Sequence, residues 1–508
     1  MAELSKSGFC MLVLAIALAA SGAAGELLLP SVISDGMVLQ RNEATKIWGW
    51  ATPGASIEAA IGGRSAQAVV PASGRWTIEL PPLSARGPHS LAISGDGSEI
   101  EIRDVLVGEV WVCSGQSNMQ WSVARSGNPE WEIENGNHPL IRMFSVTRTS
   151  APEPQQDCEG SWQAASSETV ARFSAVGYYF ARNLHQRLGV PIGMLHTSWG
   201  GTPVESWTSA GMLARTQDGA HILDRFDAER ARYDEAMAAH RQRLAAWQAE
   251  PGNGERPEAP RSSRWARDSW RPSGLFNAMV APLIPYTIQG AIWYQGESNA
   301  QRAYQYRELF PAMIRDWRAE WKQGAFPFYF VQLANFKAGD TPTWPELREA
   351  QNVALKLPNT GTAVTIDIGD RDDIHPKNKQ EVGRRLSLIA LSETYGAAEF
   401  GAGPQYRSID IEDNRIRVHF DHASKGLAVN GAGGLHGFEV AGTDGEYHAA
   451  MARIDGETVM VWSDAVPRPA AVRYAWANDP IASLYNGAGL PASPFRSDDW
   501  PAITAGEK

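Results

Sequence analysis

The chain has 508 residues, 43% of them hydrophobic and 20% charged, with a formal net charge of −11. At about 150 residues per domain this length predicts two to four folding units, and the composition excludes a disordered or fibrous chain. The negative balance, with no Lys/Arg-rich run, argues against a nucleic-acid partner.

In chain order, the first segment reads as a signal peptide over residues 1–25. Lys6 supplies the positive region, MLVLAIALAA (11–20) the apolar core, and SGAAGE small residues for cleavage after Ala24 or Gly25. The expectation is export to a periplasmic or extracellular compartment. The apolar run is shorter than the roughly 20 residues a bilayer span needs, and no later segment qualifies. Cys10 precedes the apolar run, which is a poor position for lipid attachment. Cys113 and Cys158 remain, and the sequence leaves open whether they pair.

Residues 26–107 predict an N-terminal β-sandwich domain. Short runs such as TKIWGWA, RWTIELP and HSLAISG alternate with Gly/Pro/Asp/Ser turns. From 108 to 398 the rhythm changes to strand, then helix. Apolar runs at 105–113, 190–197, 288–294, 326–333 and 361–368 predict five strands. Between them, Val170, Phe173, Val176, Phe180, Leu184 and Leu188 recur at helical spacing. So do the apolar positions from Tyr306 to Trp321, and Val382, Leu386 and Ile389 after Pro376. Such alternation predicts a five-stranded parallel sheet with helices on both faces and a site beyond the strands' carboxyl ends. Residues 211–272, charged and helical and then Pro/Gly-rich, read as an insertion capping or flanking that site. From 399 to 508 the pattern is β-rich again, with an end that can pack back on the central domain.

Four segments follow predicted strands and carry chemistry. In Gly115-Gln116-Ser117-Asn118-Met119, a sharp turn at a strand end would lift Ser117 clear of the sheet, and Gly115 can adopt positive φ. The pattern is GxSxM, which disfavours the α/β-hydrolase elbow GxSxG. In Asp372-Asp373-Ile374-His375, His375 is a candidate base. Asp372 has the separation to reach Nδ1 and hold the tautomer, while Asp373 is expected to point elsewhere or to cap the helix at Pro376. Ser198-Trp199-Gly200-Gly201 and Gln295-Gly296-Glu297-Ser298-Asn299 offer close-approaching amides and side-chain NH₂ groups for an oxyanion. Glu205, Glu297, Asn299 and Gln116 read as supports or substrate contacts. Glu205 and Glu297 as a glycosidase pair are a weaker alternative. The bland readings are an N-capping serine, a satisfied loop histidine and tight βα turns. It is the convergence of all four segments on one edge that favours a serine hydrolase.

With those residues assembled, the chain resembles the SGNH-type hydrolases, and among them the sialate O-acetylesterases and related acetylxylan esterases. The resemblance rests on GEVWVCSGQSNM (108–119), SWGGTPVESW (198–207), IWYQGESNA (292–300) and DDIHP (372–376), with PSGLFNAM (272–279) and the tail around 472–495. It implies a flavodoxin-like α/β/α core flanked by β domains. It also implies Ser117 as nucleophile, His375 as base, Asp372 as orienter, and an oxyanion hole from the Ser117 amide, a Gly200 or Gly201 amide and the Gln295 side chain. The Asn-Asp of the broader superfamily is replaced by Gln295-Gly296-Glu297, which leaves Asn299 as the other side-chain donor. The implied reaction is hydrolysis of O-acetyl groups on sugars, without cofactor or metal. Acetylated sialic acid leads as substrate and acetylated plant polysaccharide competes. Arg271 and Arg302 are candidates to clamp a sialic acid carboxylate. A non-catalytic sugar-binding protein, suggested by nineteen tryptophans and two β domains, is the reading from another class. Oligomeric state is left open.

Overall fold

Period-two alternation on the central strands explains the layering of the protein. The computed structural model describes residues 26–250, 254–398, 400–423, 425–431 and 433–507, so the leader segment lies outside the described residues. The core strands are β1 (Ser98–Gly115), β2 (His138–Val146), β3 (Gly160–Ala165), β4 (Ile192–His196), β5 (Gly290–Tyr294), β6 (Phe328–Val331) and β7 (Thr360–Ala363). They lie side by side in the order β7-β6-β5-β1-β4-β2-β3. All neighbours are parallel except the antiparallel edge strand β3. Along β1, Trp111 and Cys113 face one helical layer with Tyr178, Leu184, Val382 and Leu386. Val110 and Val112 face the other, with Leu309, Phe310, Met313 and Trp317. The helices that supply these side chains are α1 (Ala175–Leu188), α3 (Ala303–Trp321) and α5 (Lys379–Ile389), with α2 (Gly219–Ala249) between α1 and α3 and α4 (Thr343–Asn352) between α3 and α5 in the chain. Chemistry fixes their ends. The Ser174 hydroxyl accepts from the Gly177 amide to start α1, and Gly189 ends it in the left-handed region.

The expected count of five parallel strands is corrected to six. β2 (HPLIRMFSV) was hidden by Pro139, by the polar Arg142 and by a register shift that takes part of it off the ladder with β3. Arg142 is buried because Asp104 accepts from its Nη1 at 2.7 Å. The five foreseen strands stand in chain order 2-1-3-4-5, with β2 and β3 added beyond β4. Chain direction across the sheet reverses at β1, the place where open α/β sheets form their ligand crevice.

β1 belongs to two structures. Its first half pairs antiparallel with Arg86–Gly95, which extends to Ser56–Ile61 and Arg64–Val69. Its second half is the centre of the parallel sheet. Residue 108 thus falls inside one continuous strand. A separate pair, Thr45–Trp50 with Arg75–Leu80, buries Ile47, Trp76 and Ile78 in the same cluster as Ile57, Leu91 and Ile93. Beyond α5, a four-stranded antiparallel sheet orders Gln405–Glu412, Arg415–Asp421, Thr458–Trp462 and Met451–Asp455. The C-terminal segment returns to the α/β unit: Arg496 Nε donates to Glu349 at 2.8 Å and Thr504 Oγ1 to Glu346 at 2.6 Å. Cys113 and Cys158 are both free and buried. Among the described residues no helix is long and apolar enough to cross a membrane.

Candidate active site

The turn that carries Ser117 is built by backbone crowding. Gly115, the last residue of β1, has φ +136°, and a Cβ there would lie 2.1 Å from the carbonyl oxygen of Tyr294. No other residue fits, and the chain is forced out of the sheet at this point. Ser117 then opens a one-turn helix, Ser117–Gln120, and is only half-buried. Its backbone N–H has no acceptor among the described residues. Gln116 is buried and anchors the turn: its Oε1 accepts from the amides of Gly296 and Ser298, at 3.4 and 3.3 Å.

His375 lies on the neighbouring backbone. Asn118 Nδ2 donates to the carbonyl oxygen of Ile374 at 3.0 Å, so the residue after the serine is bonded to the residue before the histidine. The imidazole stacks on Trp121, with ring centroids 4.6 Å apart, and the Arg125 guanidinium covers Trp121 at 3.5 Å from the ring centre. No hydrogen bond joins Ser117 Oγ to the imidazole. Burial, assisted by the positive charges of Lys379 and Arg125, holds the His375 pKa below its ordinary value against the opposing pull of Asp373.

The expected orienter differs. Asp373, not Asp372, is the carboxylate at the ring: its Oδ1 is 3.6 Å from Nδ1 and accepts from the His375 amide at 2.9 Å. Asp372 is exposed, and its amide donates to Asp370 Oδ1 at 3.0 Å. Asp370 also accepts from the Asp373 amide, so the turn is wound tightly enough to bring the nearer aspartate under the ring and send the farther one outward.

The expected oxyanion donors are also redistributed. Gln295 is fully buried and committed: Nε2 donates to Thr202 O and Asn299 Oδ1, and Oε1 accepts from Tyr306 OH. It ties two loops together and has no proton to spare for substrate. The Gly200 amide donates to Gln120 Oε1 at 2.7 Å. Gly200 lies against Ser117, since a Cβ there would be 3.2 Å from Ser117 Cβ. Gly201 is exposed, with φ +73°, and its carbonyl accepts from Trp270 Nε1. Asn299 is buried, donating to Glu205 Oε2 at 2.9 Å and accepting from the Val204 amide. Glu205 is a structural anion. Burial opposes its charge, but Arg302 at 2.8 Å and Asn299 hold its pKa below the ordinary value. That pairing removes both Glu205 from any glycosidase pair and Arg302 from a substrate clamp. Arg271 is paired with Asp268 at 3.2 Å. The 211–272 segment flanks this loop, with Arg225 3.6 Å from Glu205 and Trp270 bonded to Gly201.

The sequence reading missed a buried polar link beneath the serine. Lys379 Nζ donates to Asn118 Oδ1, and Asn118 Nδ2 donates to Glu297 Oε1. Burial lowers the Lys379 pKa to about 7 and raises that of Glu297. A lysine three residues past Pro376 in an apolar helix face was the available signal. Among the described residues no group of three or more His, Cys, Asp or Glu side chains is arranged to hold a metal ion.

Comparison with known proteins shows the family. Residues 261–391 match the family described as carbohydrate esterase, sialic acid-specific acetylesterase. A sialate O-acetylesterase of Pongo abelii is 30% identical over 92% of this chain and 91% of its own length. One of Rattus norvegicus is 30% identical over 96% and 97%. A carbohydrate acetylesterase of Xanthomonas citri, known from its crystal structure, is 38% identical with a TM-score of 0.81, covering 94% of this chain and 100% of its own. The chain therefore belongs to the sialic acid-specific acetylesterase family of carbohydrate esterases.

Proposed function

We propose that this protein removes acetyl groups from sugar hydroxyls, with O-acetylated sialic acid as the leading substrate, through Ser117 as nucleophile and His375 as general base. The observation that carries the reading is the turn forced by Gly115 at the carboxyl end of the central strand, with the histidine loop bonded beside it through Asn118 and Ile374. His375 Nε2 takes the Ser117 proton as Oγ attacks the acetyl carbonyl. The tetrahedral oxyanion meets the Ser117 amide, with the Gly201 amide as second donor. Collapse expels the sugar oxygen, which receives the proton from the imidazolium. A water, deprotonated by His375, then attacks the acetyl-enzyme, and acetate leaves as Ser117 regains its proton. Asp373, on the Nδ1 side, keeps Nε2 free for these transfers. The leader-like residues 1–25 support export as the setting.

The test is acetate release from O-acetylated sialic acid, acetylxylan and simple acetylated sugars by the wild type and Ser117→Ala. Loss of several orders of magnitude in the variant, with an unchanged fold, is expected. Near-normal turnover in Ser117→Ala would remove serine from the mechanism, and preferential deacetylation of acetylxylan would replace the substrate.

A further inference from the structure

A cavity of about 600 Å³ adjoins the turn that carries Ser117, with Gln120, the last residue of the one-turn helix that Ser117 opens, in its lining. Gln120 and Ser122 line it together with Ser145 to Arg148, at and just past the end of β2, and with His196, the last residue of β4, and Ser198 beyond it. It is large enough for a monosaccharide. Gln120 is the residue that accepts from the Gly200 amide beside Ser117, so one side chain of the lining touches the backbone that packs against the serine.

Its charge is one-sided. Arg125, Arg148 and Arg172 line it, and no aspartate or glutamate does. None of the three guanidinium groups is ion-paired with a described residue, whereas Arg142, Arg182, Arg302, Arg385 and Arg496 all are. His196 adds no charge near neutrality, because burial and then Arg148 hold its pKa at about 4. Three unneutralised cations beside the nucleophile run against a chain of net charge −11. A second cavity, lined by Ser298 and Ile374, differs: Arg264 and Lys337 share its lining with Glu297, Asp340 and Glu507. Arg125 is held in place by its stack on Trp121, which in turn rests on His375.

We propose that this arginine-lined cavity is the subsite for the carboxylate of an acidic O-acetylated sugar, a sialic acid, orienting it so that an acetyl group reaches Ser117. The proposal deepens, and rests on, the esterase reading above. A carboxylate can accept two parallel N–H bonds from a guanidinium, which fixes orientation as well as adding affinity.

The test compares KM and kcat for a mono-O-acetylated N-acetylneuraminic acid, its carboxyl methyl ester and an O-acetylated hexuronic acid, reading acetate release. The proteins are the wild type and the double variant Arg148→Gln/Arg172→Gln. For the wild type, KM should be about tenfold lower for the free acid than for its methyl ester. In the double variant that difference should vanish through a rise in KM for the acid alone, with p-nitrophenyl acetate turnover unchanged. Equal KM for acid and ester in the wild type, or parallel loss on both in the variant, overturns the subsite. Better use of the hexuronic acid overturns the sialic acid assignment. Calorimetric binding of free N-acetylneuraminic acid, weakened in the double variant, reads the subsite without catalysis. If the wild type cleaves no acetyl ester, the esterase reading fails, while this binding arm still decides the subsite.

Discussion

Asn118 Nδ2 and the carbonyl oxygen of Ile374 are 3.0 Å apart, and this hydrogen bond ties the helix that Ser117 opens to the loop that carries His375. The same amide also donates to Glu297, and its oxygen accepts from Lys379, so Asn118 is held from three directions. With both ends of its amide engaged by protein groups, its part in the proposed reaction is to position.

Asn118→Ala should lower kcat on p-nitrophenyl acetate by about ten- to a hundredfold, because small displacements of a base from its nucleophile carry penalties of that size. KM should change little. A purely structural residue would instead lower the melting temperature with kcat per folded molecule intact. Asn118→Asp, which keeps an acceptor for Lys379 but loses the donor to Ile374, should resemble Asn118→Ala.

Two neighbouring aspartates separate sequence spacing from geometry. Asp373→Asn should reduce kcat/KM by about a hundredfold, since the imidazole loses the carboxylate 3.6 Å from Nδ1 that favours its working tautomer and its charged intermediate. Asp372→Asn, exposed and turned away, should remain near wild type. Steady-state kinetics of the two variants decide this, and the reverse order would restore Asp372 as orienter.

That exchange also marks how far sequence reaches. Five core strands and the Gly115 turn could be read because each is a local property: an apolar run of strand length, and a residue without Cβ at a strand's end. β2 escaped because Pro139 and Arg142 break its apolar pattern, and Arg142 is acceptable inside only through Asp104, 38 residues distant in the chain. Gln295 looked like a free donor because its partners, Thr202 and Tyr306, come from two other segments. The residue that winds the histidine loop, Asp370, gives no sign in the sequence of which later amides it will accept from. Lys379 could be seen as an oddity, but its role depends on Asn118, 261 positions away.

The pH profile follows from the surroundings of His375. Only the neutral imidazole can accept the serine proton, so activity falls as pH drops through its pKa. Burial, Lys379 and Arg125 lower that pKa, so the acid limb of kcat/KM on a neutral ester should have its midpoint below 6.5. Arg125→Ala removes one depressing charge and should move the limb to higher pH. Asp373→Asn removes the raising charge and should move it to lower pH. A limb unmoved in both variants would show that another group sets it.

The Arg302–Glu205 pair supports the loops around the site rather than the reaction, and its loss should appear in stability. Both side chains are buried, with Glu205 Oε1 2.8 Å from Arg302 Nη2. Arg302→Met leaves a buried carboxylate short of its main partner, a change that costs about 3–5 kcal/mol when no other group compensates. Arg225, 3.6 Å away, recovers part of that. In the wild type the depressed pKa of Glu205 means its charge stabilises the fold above the ordinary carboxylate range, and this is lost as pH falls through the folded value. In Arg302→Met, burial dominates and raises the pKa, so the carboxylate destabilises at pH 7 and less as it gains a proton on acidification. The melting-temperature gap between variant and wild type should therefore be widest near pH 7 and narrow toward pH 4, and Glu205→Gln/Arg302→Met should regain much of the loss at pH 7. A gap that does not depend on pH would mean that lost packing, and not the uncompensated charge, is what Arg302 contributes.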